Sequence, residues 1–495
     1  MSHADTETWP RRLVWALLFA CSAALLAASV YRAATYSFTG DESLSYAGFN
    51  WAPIWTDDAN NHLLNTWLMR CCSSLLGDSE LSLRLPNLLA HLVYLASVLA
   101  LLRRFEHAAL LLAGFVLFNL NPFLLDFFSL ARGYGLASAF TALSLYLLAR
   151  AFEAKKQGAG FVTLLFLAAA SGALAVLANY AFLNFFLPLL LACVWLLLTD
   201  ASLRRFERGR LPAAAALFAA CGGFLAFVLS ELFRLRRIGA LYAGGHEGFV
   251  GDTVKSLARA SLYSVPYTHV TEGVVSAFVV GLFAALLLLG LGLFLRRREV
   301  TLFAPLLLIL ASAVALPLAQ HRLLGTLLPL DRAALFYLPL YAAVLLSASH
   351  LLWRLSSRRW AKTAALALPA LLAALMLWHF QRGFNPRSCY LWWFHAHDKE
   401  VMTIIERDHG RHFPGRVVRL ANSWMMEPSL NFYRHTRNLN WLEPVTRKPP
   451  AEAGGHYVYA FEGDVKGFAE NSHTVLATYP DTQTVLLRAN RVPAP

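Results

Sequence analysis

Charge is what this chain has least of. Asp, Glu, Lys and Arg supply only 15% of its 495 residues, against 57% hydrophobic residues, and the mean hydropathy is +0.49. A soluble domain of this length needs far more charge to cover its surface, so that class is excluded. Metal-ligand spacing is missing too: the six cysteines, Cys21, Cys71, Cys72, Cys193, Cys221 and Cys389, form no pattern of a metal site. Cys21, Cys193 and Cys221 fall in apolar runs and read as packing residues. Basic residues are not interleaved with aromatics in the manner of a nucleic-acid surface. No internal repeat stands out, and no small-residue cleavage site follows Arg11-Arg12, so the first apolar run reads as a signal anchor.

What the chain has instead is apolar runs of roughly 18 to 24 residues, long enough to cross a ~30 Å hydrocarbon core. Eleven spans are expected, at about 12–32, 84–102, 107–126, 130–150, 161–178, 181–199, 211–233, 272–295, 300–319, 333–353 and 361–380. The fold class is therefore a polytopic α-helical membrane protein. Alternating the spans places Arg11-Arg12, Arg103-Arg104, Lys155-Lys156, Arg204-Arg205, Arg296-Arg297-Arg298 and Arg358-Arg359 on one side. The positive-inside rule makes that side the cytoplasm. Topology thus accounts for the net charge of +13. The reading is a multi-pass protein of the bacterial cytoplasmic (inner) membrane, with a cytoplasmic N-terminus and an extracytoplasmic C-terminus.

Two outside connections are long. Residues 33–83 carry Gly40-Asp41-Glu42, then Trp51, Trp55 and Asp57-Asp58-Ala59-Asn60-Asn61-His62, then Leu63 to Met69, which reads as an amphipathic helix in the interface. Residues 234–271 are rich in glycine and read as a lid over a site. A transmembrane domain is expected over 1–383. From Phe384 charge, histidine and proline rise, and 384–495 reads as a small extracytoplasmic α/β domain. Its strands are expected at 417–420, 457–461 and 484–487, with helices at 399–407 and 428–433.

Carboxylates beside a bilayer are costly to desolvate and rarely idle. Asp41-Glu42 reads either as a solvated pair capping a helix over Ser43 to Gly48, or as a general base with a supporting acid. Asp57-Asp58 with His62 falls short of the three or four convergent ligands of a zinc site, so a divalent metal is the weaker alternative. Asp58 or Asn60 suits a helix cap, leaving Asn61 and His62 to line the site. Arg132, in Leu130-Ala131-Arg132-Gly133-Tyr134-Gly135, and Arg332, in Leu330-Asp331-Arg332, lie outside, against the topological bias. Each either snorkels to lipid phosphate or binds a phosphate on the substrate, which suits the guanidinium fork. Tyr134 adds a substrate-binding candidate. Arg234, Arg236, Arg237, Arg259 and His321 are weaker candidates, and Asp126 either pairs with Arg132 or joins the acids. Trp51, Trp55, Trp392 and Trp393 read as interface anchors.

Four stretches carry a family resemblance: Thr39-Gly40-Asp41-Glu42, Asn61-His62-Leu63-Leu64-Asn65, Gly77-Asp78-Ser79-Glu80-Leu81-Ser82-Leu83-Arg84-Leu85-Pro86, and Ala131-Arg132-Gly133-Tyr134-Gly135. Together they resemble the GT-C superfamily of membrane glycosyltransferases, among the bacterial relatives of protein O-mannosyltransferases and lipid A aminoarabinose transferases. The resemblance implies a polyprenyl-phosphate-linked sugar donor used at the outer face, transfer with inversion and no metal cofactor. It implies that Asp41 deprotonates an acceptor hydroxyl on a glycan, lipid or protein, with Glu42 as second acid. Arg132 and Arg332 are then expected to hold the donor phosphate. His62-Leu63-Leu64 departs from the family's frequent His-Pro-Pro. The alternative is a transporter or flippase of lipid-linked sugars, which predicts polar residues deep in the spans and two related halves.

Overall fold

The computed structural model describes residues 3–50, 62–157, 160–199, 211–241, 243–296, 301–469 and 471–491. Asp57, Asp58 and Asn61, with Trp51 and Trp55, lie outside the described residues. Among the described residues, ten helices are long and apolar enough to cross a membrane. They begin with α1 (His3–Thr35). Two short helices follow, α2 (Gly40–Asn50) and α3 (Leu63–Leu76), before α4 (Glu80–Leu102).

The expected third span, 107–126, is not one helix. It is α5 (Ala108–Asn119) followed by α6 (Pro122–Asp126). The break is local chemistry: the Asn121 side chain accepts from Leu124 N at 3.1 Å, and Pro122 supplies no amide. The carbonyl of Phe118, freed at the break, accepts from the Tyr94 hydroxyl at 2.6 Å. At ~1.5 Å per residue α5 is only about 18 Å long. Even so, the chain recrosses here, because α4 starts at the Glu42 end, runs to Leu102, and Ala131 is back beside Glu42.

The remaining spans are α7 (Gly133–Gln157), α8 (Phe161–Ala178), α9 (Leu183–Leu198), α10 (Leu211–Arg237), α12 (Glu272–Leu295), α13 (Phe303–Leu324), α14 (Tyr337–Leu355) and α15 (Arg359–Gly383), with α11 (Lys255–Leu262) before α12. The long connection before α12 is folded. Asp252 Oδ2 accepts from Glu247 N and Gly248 N at 2.8 and 2.9 Å, and α11 packs on the 3-10 turn Asp331–Ala334 that carries Arg332.

The C-terminal region forms a four-stranded sheet in the order β1-β2-β4-β3, where β1 is Leu420–Asn422, β2 Tyr457–Phe461, β3 His473–Tyr479 and β4 Thr484–Ala489. β1 is parallel to β2 and the other pairs are antiparallel. β3 was not anticipated; it is an edge strand with exposed positions, so it lacks a clean apolar alternation. β1 begins at Leu420 rather than Val417. α16 (Asp398–His412) and α17 (Glu427–Thr436) cover the sheet. One face has a core of its own, Ala421, Val458, Ala460, Val485 and Leu487. The other is shared, with Val401, Ile405, Leu430, Phe432 and Tyr457 buried together with Phe38, Tyr46, Met69 and Leu83 from the segments around α2 to α4 and with Ala131 just before α7.

Candidate active site

Glu42 lies in the first turn of α2, with Asp41 beside it. The expected helix over Ser43 to Gly48 therefore starts earlier and takes both acids into its N-terminus, where the helix dipole favours carboxylates. Neighbours on a helix point about 100° apart, and the two acids diverge accordingly. Glu42 is 0% exposed and its four acceptor positions are filled. Oε1 takes Arg84 Nε at 2.8 Å and Ala131 N at 2.6 Å; Oε2 takes Arg84 Nη2 at 2.7 Å and Thr39 N at 2.9 Å. Thr39 Oγ1 accepts in return from Glu42 N at 3.4 Å, making a capping box.

Arg84 spends all five of its N–H donors. Besides Glu42 it donates to the carbonyls of Ala33 (3.0 Å), Tyr36 (2.9 Å) and Ser37 (2.9 Å) at the end of α1. It stands one turn inside α4, whose start is fixed by a Ser79–Ser82 capping box. No role for Arg84 was read from the sequence. The available signal was a charge inside an apolar span.

Asp41 keeps a side chain 20% exposed. Its Oδ2 lies 3.4 Å from Arg132 Nη2 and 3.7 Å from Arg332 Nη2. Arg132 is 0% exposed and also donates to Asp41 O at 3.0 Å and Ser45 Oγ at 2.8 Å. Arg332 is 29% exposed and lies over the rings of Trp392 (5.2 Å) and Tyr134 (5.9 Å). Trp392 is buried, so it is a backing for Arg332 and not the interface anchor expected from the sequence. His62 stands behind Arg132, its Nε2 3.2 Å from Arg132 Nη2, its Nδ1 accepting from Gly133 N at 2.7 Å, and its ring edge-on to Tyr134 at 4.7 Å. Burial first, then the Arg132 and Arg332 charges, hold the His62 pKa well below the ordinary histidine range, so the ring is neutral.

The turn carrying Arg132 is held by small residues and amides. A Cβ on Gly133 would lie 1.8 Å from the Ala178 carbonyl oxygen and 2.6 Å from His62 Nδ1. Asn65 Nδ2 donates to Ala131 O at 2.9 Å, and Asn87 Nδ2 to Asn65 Oδ1 at 2.8 Å. Asn179, at the junction of α8 and α9, brings Nδ2 to 3.3 Å from His62 Nε2.

Five residues singled out from the sequence, Asp41, Arg132, Arg332, His62 and Tyr134, thus converge. Others do not. Asp126 pairs with Arg32 rather than with Arg132, and accepts from the Tyr263 hydroxyl at 2.8 Å and Tyr390 N at 2.8 Å. Arg259 pairs with Glu272 at 3.1 Å, Arg234 with Glu231 at 3.0 Å, and His321 Nδ1 lies 2.7 Å from Thr326 O. Among the described residues, the fully buried charged side chains other than histidine are Arg32, Glu42, Arg84, Asp126, Arg132 and Asp398, all at this end of the bundle. No three His, Cys, Asp or Glu among the described residues converge as a metal site. A separate cavity of about 540 Å³ lies between α11, α12, α14 and α15, lined by Leu257, Leu282, Tyr337, Tyr341 and Leu371 among others. It is almost wholly apolar, and Tyr337, which lines it, follows Arg332 by five positions in the chain.

Residues 61–228 match the family model described as dolichyl-phosphate-mannose-protein mannosyltransferase. That match supports the resemblance to membrane glycosyltransferases read from the motifs; it takes in His62, Asp126, Arg132 and Tyr134, while Asp41, Glu42 and Arg332 lie outside it. No curated protein matches the chain. Among solved structures it is similar to ArnT from Cupriavidus metallidurans in the apo state, at 12% identity and a TM-score of 0.46, with 96% of this chain and 97% of that chain covered. It is likewise similar to ArnT from the same organism bound to undecaprenyl phosphate, at 13% identity and a TM-score of 0.44, with the same coverage.

Proposed function

We propose that this multi-pass membrane protein is an inverting glycosyltransferase. It moves a sugar from a polyprenyl-phosphate donor to an acceptor hydroxyl at the outer face of the bacterial cytoplasmic membrane, the face on which the C-terminal domain sits. The observation that carries the reading is the asymmetry of the acidic pair: Glu42 is locked by Arg84, while Asp41 keeps a partly exposed carboxylate between two arginines.

In this reading the Asp41 carboxylate takes the proton of the acceptor hydroxyl as that oxygen bonds to the anomeric carbon. The bond from the anomeric carbon to the phosphate oxygen breaks, its electron pair stays on the phosphate, and free polyprenyl phosphate leaves. A single displacement inverts the anomeric centre. A placed base contributes roughly 10²–10⁴-fold. Of the two arginines expected at the phosphate, Arg332 is the partly exposed one and takes the leaving group's charge. Arg132, buried and bonded to Asp41 O and Ser45, orients the base. Glu42 positions the helix that carries it. The apolar cavity beside Tyr337 suits the polyprenyl chain. The step as written uses side chains alone and needs no metal. The acceptor is a glycan, lipid or protein hydroxyl.

The test is release of undecaprenyl phosphate from an undecaprenyl-phosphate-linked sugar by the purified protein in lipid nanodiscs. Asp41→Asn is expected to lower release at least a hundredfold. Undiminished release would sink the assignment.

A further inference from the structure

The segment leading into Asp41 is held from outside the membrane bundle. Phe38 N donates to the Tyr433 hydroxyl at 2.8 Å, Phe38 O accepts from Ser429 Oγ at 2.6 Å, and the rings of Phe38 and Phe432 stack at 4.1 Å. Ser37 Oγ donates to Ala396 O at 3.0 Å and accepts from Lys399 N at 3.1 Å. The hold next to Asp41 in the chain is at Gly40, whose N–H donates to His395 Nε2 at 3.0 Å. His395 Nδ1 lies 2.6 Å from Asp398 Oδ2. The partners assign the tautomer: Nδ1 carries the proton and donates to the carboxylate, leaving Nε2 as acceptor. Both side chains are buried.

The first amides of a helix have no partner within it. In α2, the Glu42 amide is taken by Thr39 and the Gly40 amide by His395. Gly40 also has to be small, because a Cβ there would lie 3.0 Å from His395 Nε2. The same C-terminal segment supplies Trp392, on which Arg332 rests.

We infer that the C-terminal domain is part of the catalytic centre, and that His395 with Asp398 is a positioning dyad that fixes the N-terminus of the helix bearing Asp41. The inference rests on the glycosyltransferase reading for what is positioned, and on the contacts above for the positioning itself. An orphaned buried amide at Gly40 would loosen the first turn of α2 and misplace the base.

The test compares two full-length double variants in lipid nanodiscs. Both carry Asp398→Asn, so that neither leaves an uncompensated carboxylate. One adds His395→Ala and removes the acceptor facing Gly40; the other adds His395→Gln and restores one. Two readouts are taken: amide hydrogen exchange in peptides over 36–46, with peptides over 133–157 as internal reference, and undecaprenyl phosphate release from an undecaprenyl-phosphate-linked sugar. The alanine variant is expected to exchange faster at 36–46 only, and to lose about tenfold in kcat with the donor KM little changed. The glutamine variant is expected to recover both. Equal exchange at 36–46 in the two variants and the wild type overturns the dyad. Equal loss in both variants, with faster exchange everywhere, also overturns it, because that marks general destabilisation. Wild-type protein that releases no undecaprenyl phosphate overturns the glycosyltransferase reading instead, while the exchange data still decide the positioning role.

Discussion

Arg84 grips both carboxylate oxygens of Glu42, at 2.8 and 2.7 Å, with neither side chain exposed to solvent. Through this pair the start of α4 is tied both to the end of α1 and to the start of α2. Removing one partner of such a buried pair leaves the other charge uncompensated, which costs about 3–5 kcal/mol. Arg84→Ala and Glu42→Gln are each expected to lower the apparent melting temperature in detergent sharply. A double variant should fall by much less than the sum of the two, because the pair acts as one unit. Additive losses would show that the two residues stabilise the fold separately.

Arg332 and Arg132 are expected to part company on substitution. Arg332→Ala should weaken capture of undecaprenyl phosphate by about tenfold or more while leaving thermal stability near wild type, since charge-assisted bonds to a phosphate are among the stronger contacts. Arg132→Ala should instead lower both stability and kcat, because it empties a buried position bonded to Asp41 O and Ser45. Titration of nanodiscs with undecaprenyl phosphate, beside thermal melts, separates the two.

His62 gives the fold a pH dependence of defined sign. Its pKa is held well below the ordinary histidine value of about 6.5, by burial first and then by Arg132 and Arg332. Above that value both folded and unfolded chains carry a neutral ring. Below it the unfolded chain binds a proton that the folded chain refuses, so stability falls as pH falls, by up to about 1.4 kcal/mol per pH unit. His62→Asn keeps an acceptor for Gly133 N–H but does not titrate. Its melting temperature should therefore drop less than that of wild type between about pH 7.5 and 5.5. Parallel curves for the two proteins would remove His62 as the source.

Filling the apolar cavity should discriminate donors by chain length. Leu282→Trp places a larger side chain in its wall. The variant is expected to raise the donor KM about tenfold for an undecaprenyl-phosphate-linked sugar, an effect of roughly 1.4 kcal/mol, and to leave a short-chain analogue nearly unaffected. An equal effect on both donors would place the chain elsewhere.

The converging residues were legible because each breaks a local rule. Asp41, Arg132 and Arg332 are charges at the edges of apolar runs, where desolvation makes them conspicuous. Partners were not legible. Asp126 finds Arg32, 94 positions away, and Glu42 finds Arg84, 42 away; no spacing rule reaches that far. The division of labour between Asp41 and Glu42 was hidden for a related reason. It comes from the helix that starts at Gly40, which turns two adjacent acids toward different surroundings. The third span misled because hydropathy averages over a window, and a single Asn121-Pro122 step barely changes an apolar mean. Trp392 read as an anchor because a buried aromatic behind an arginine and an exposed one at an interface look alike in sequence.

The break at Asn121-Pro122 bears on how the chain enters a bilayer. A twelve-residue apolar helix is too short to be released into lipid alone, and the polar backbone at its end finds its partners in Tyr94 and in the cap. The helical neighbours of α5 are α1 and α4 on the earlier side and α14 and α15 on the later side, so during synthesis this segment must wait beside α1 and α4 until α14 and α15 emerge to enclose it. A chain truncated just after Gln157, before α14 and α15 exist, is therefore expected to leave 107–126 uninserted, and a chain extended through Gly383 to be the first that holds this crossing in place.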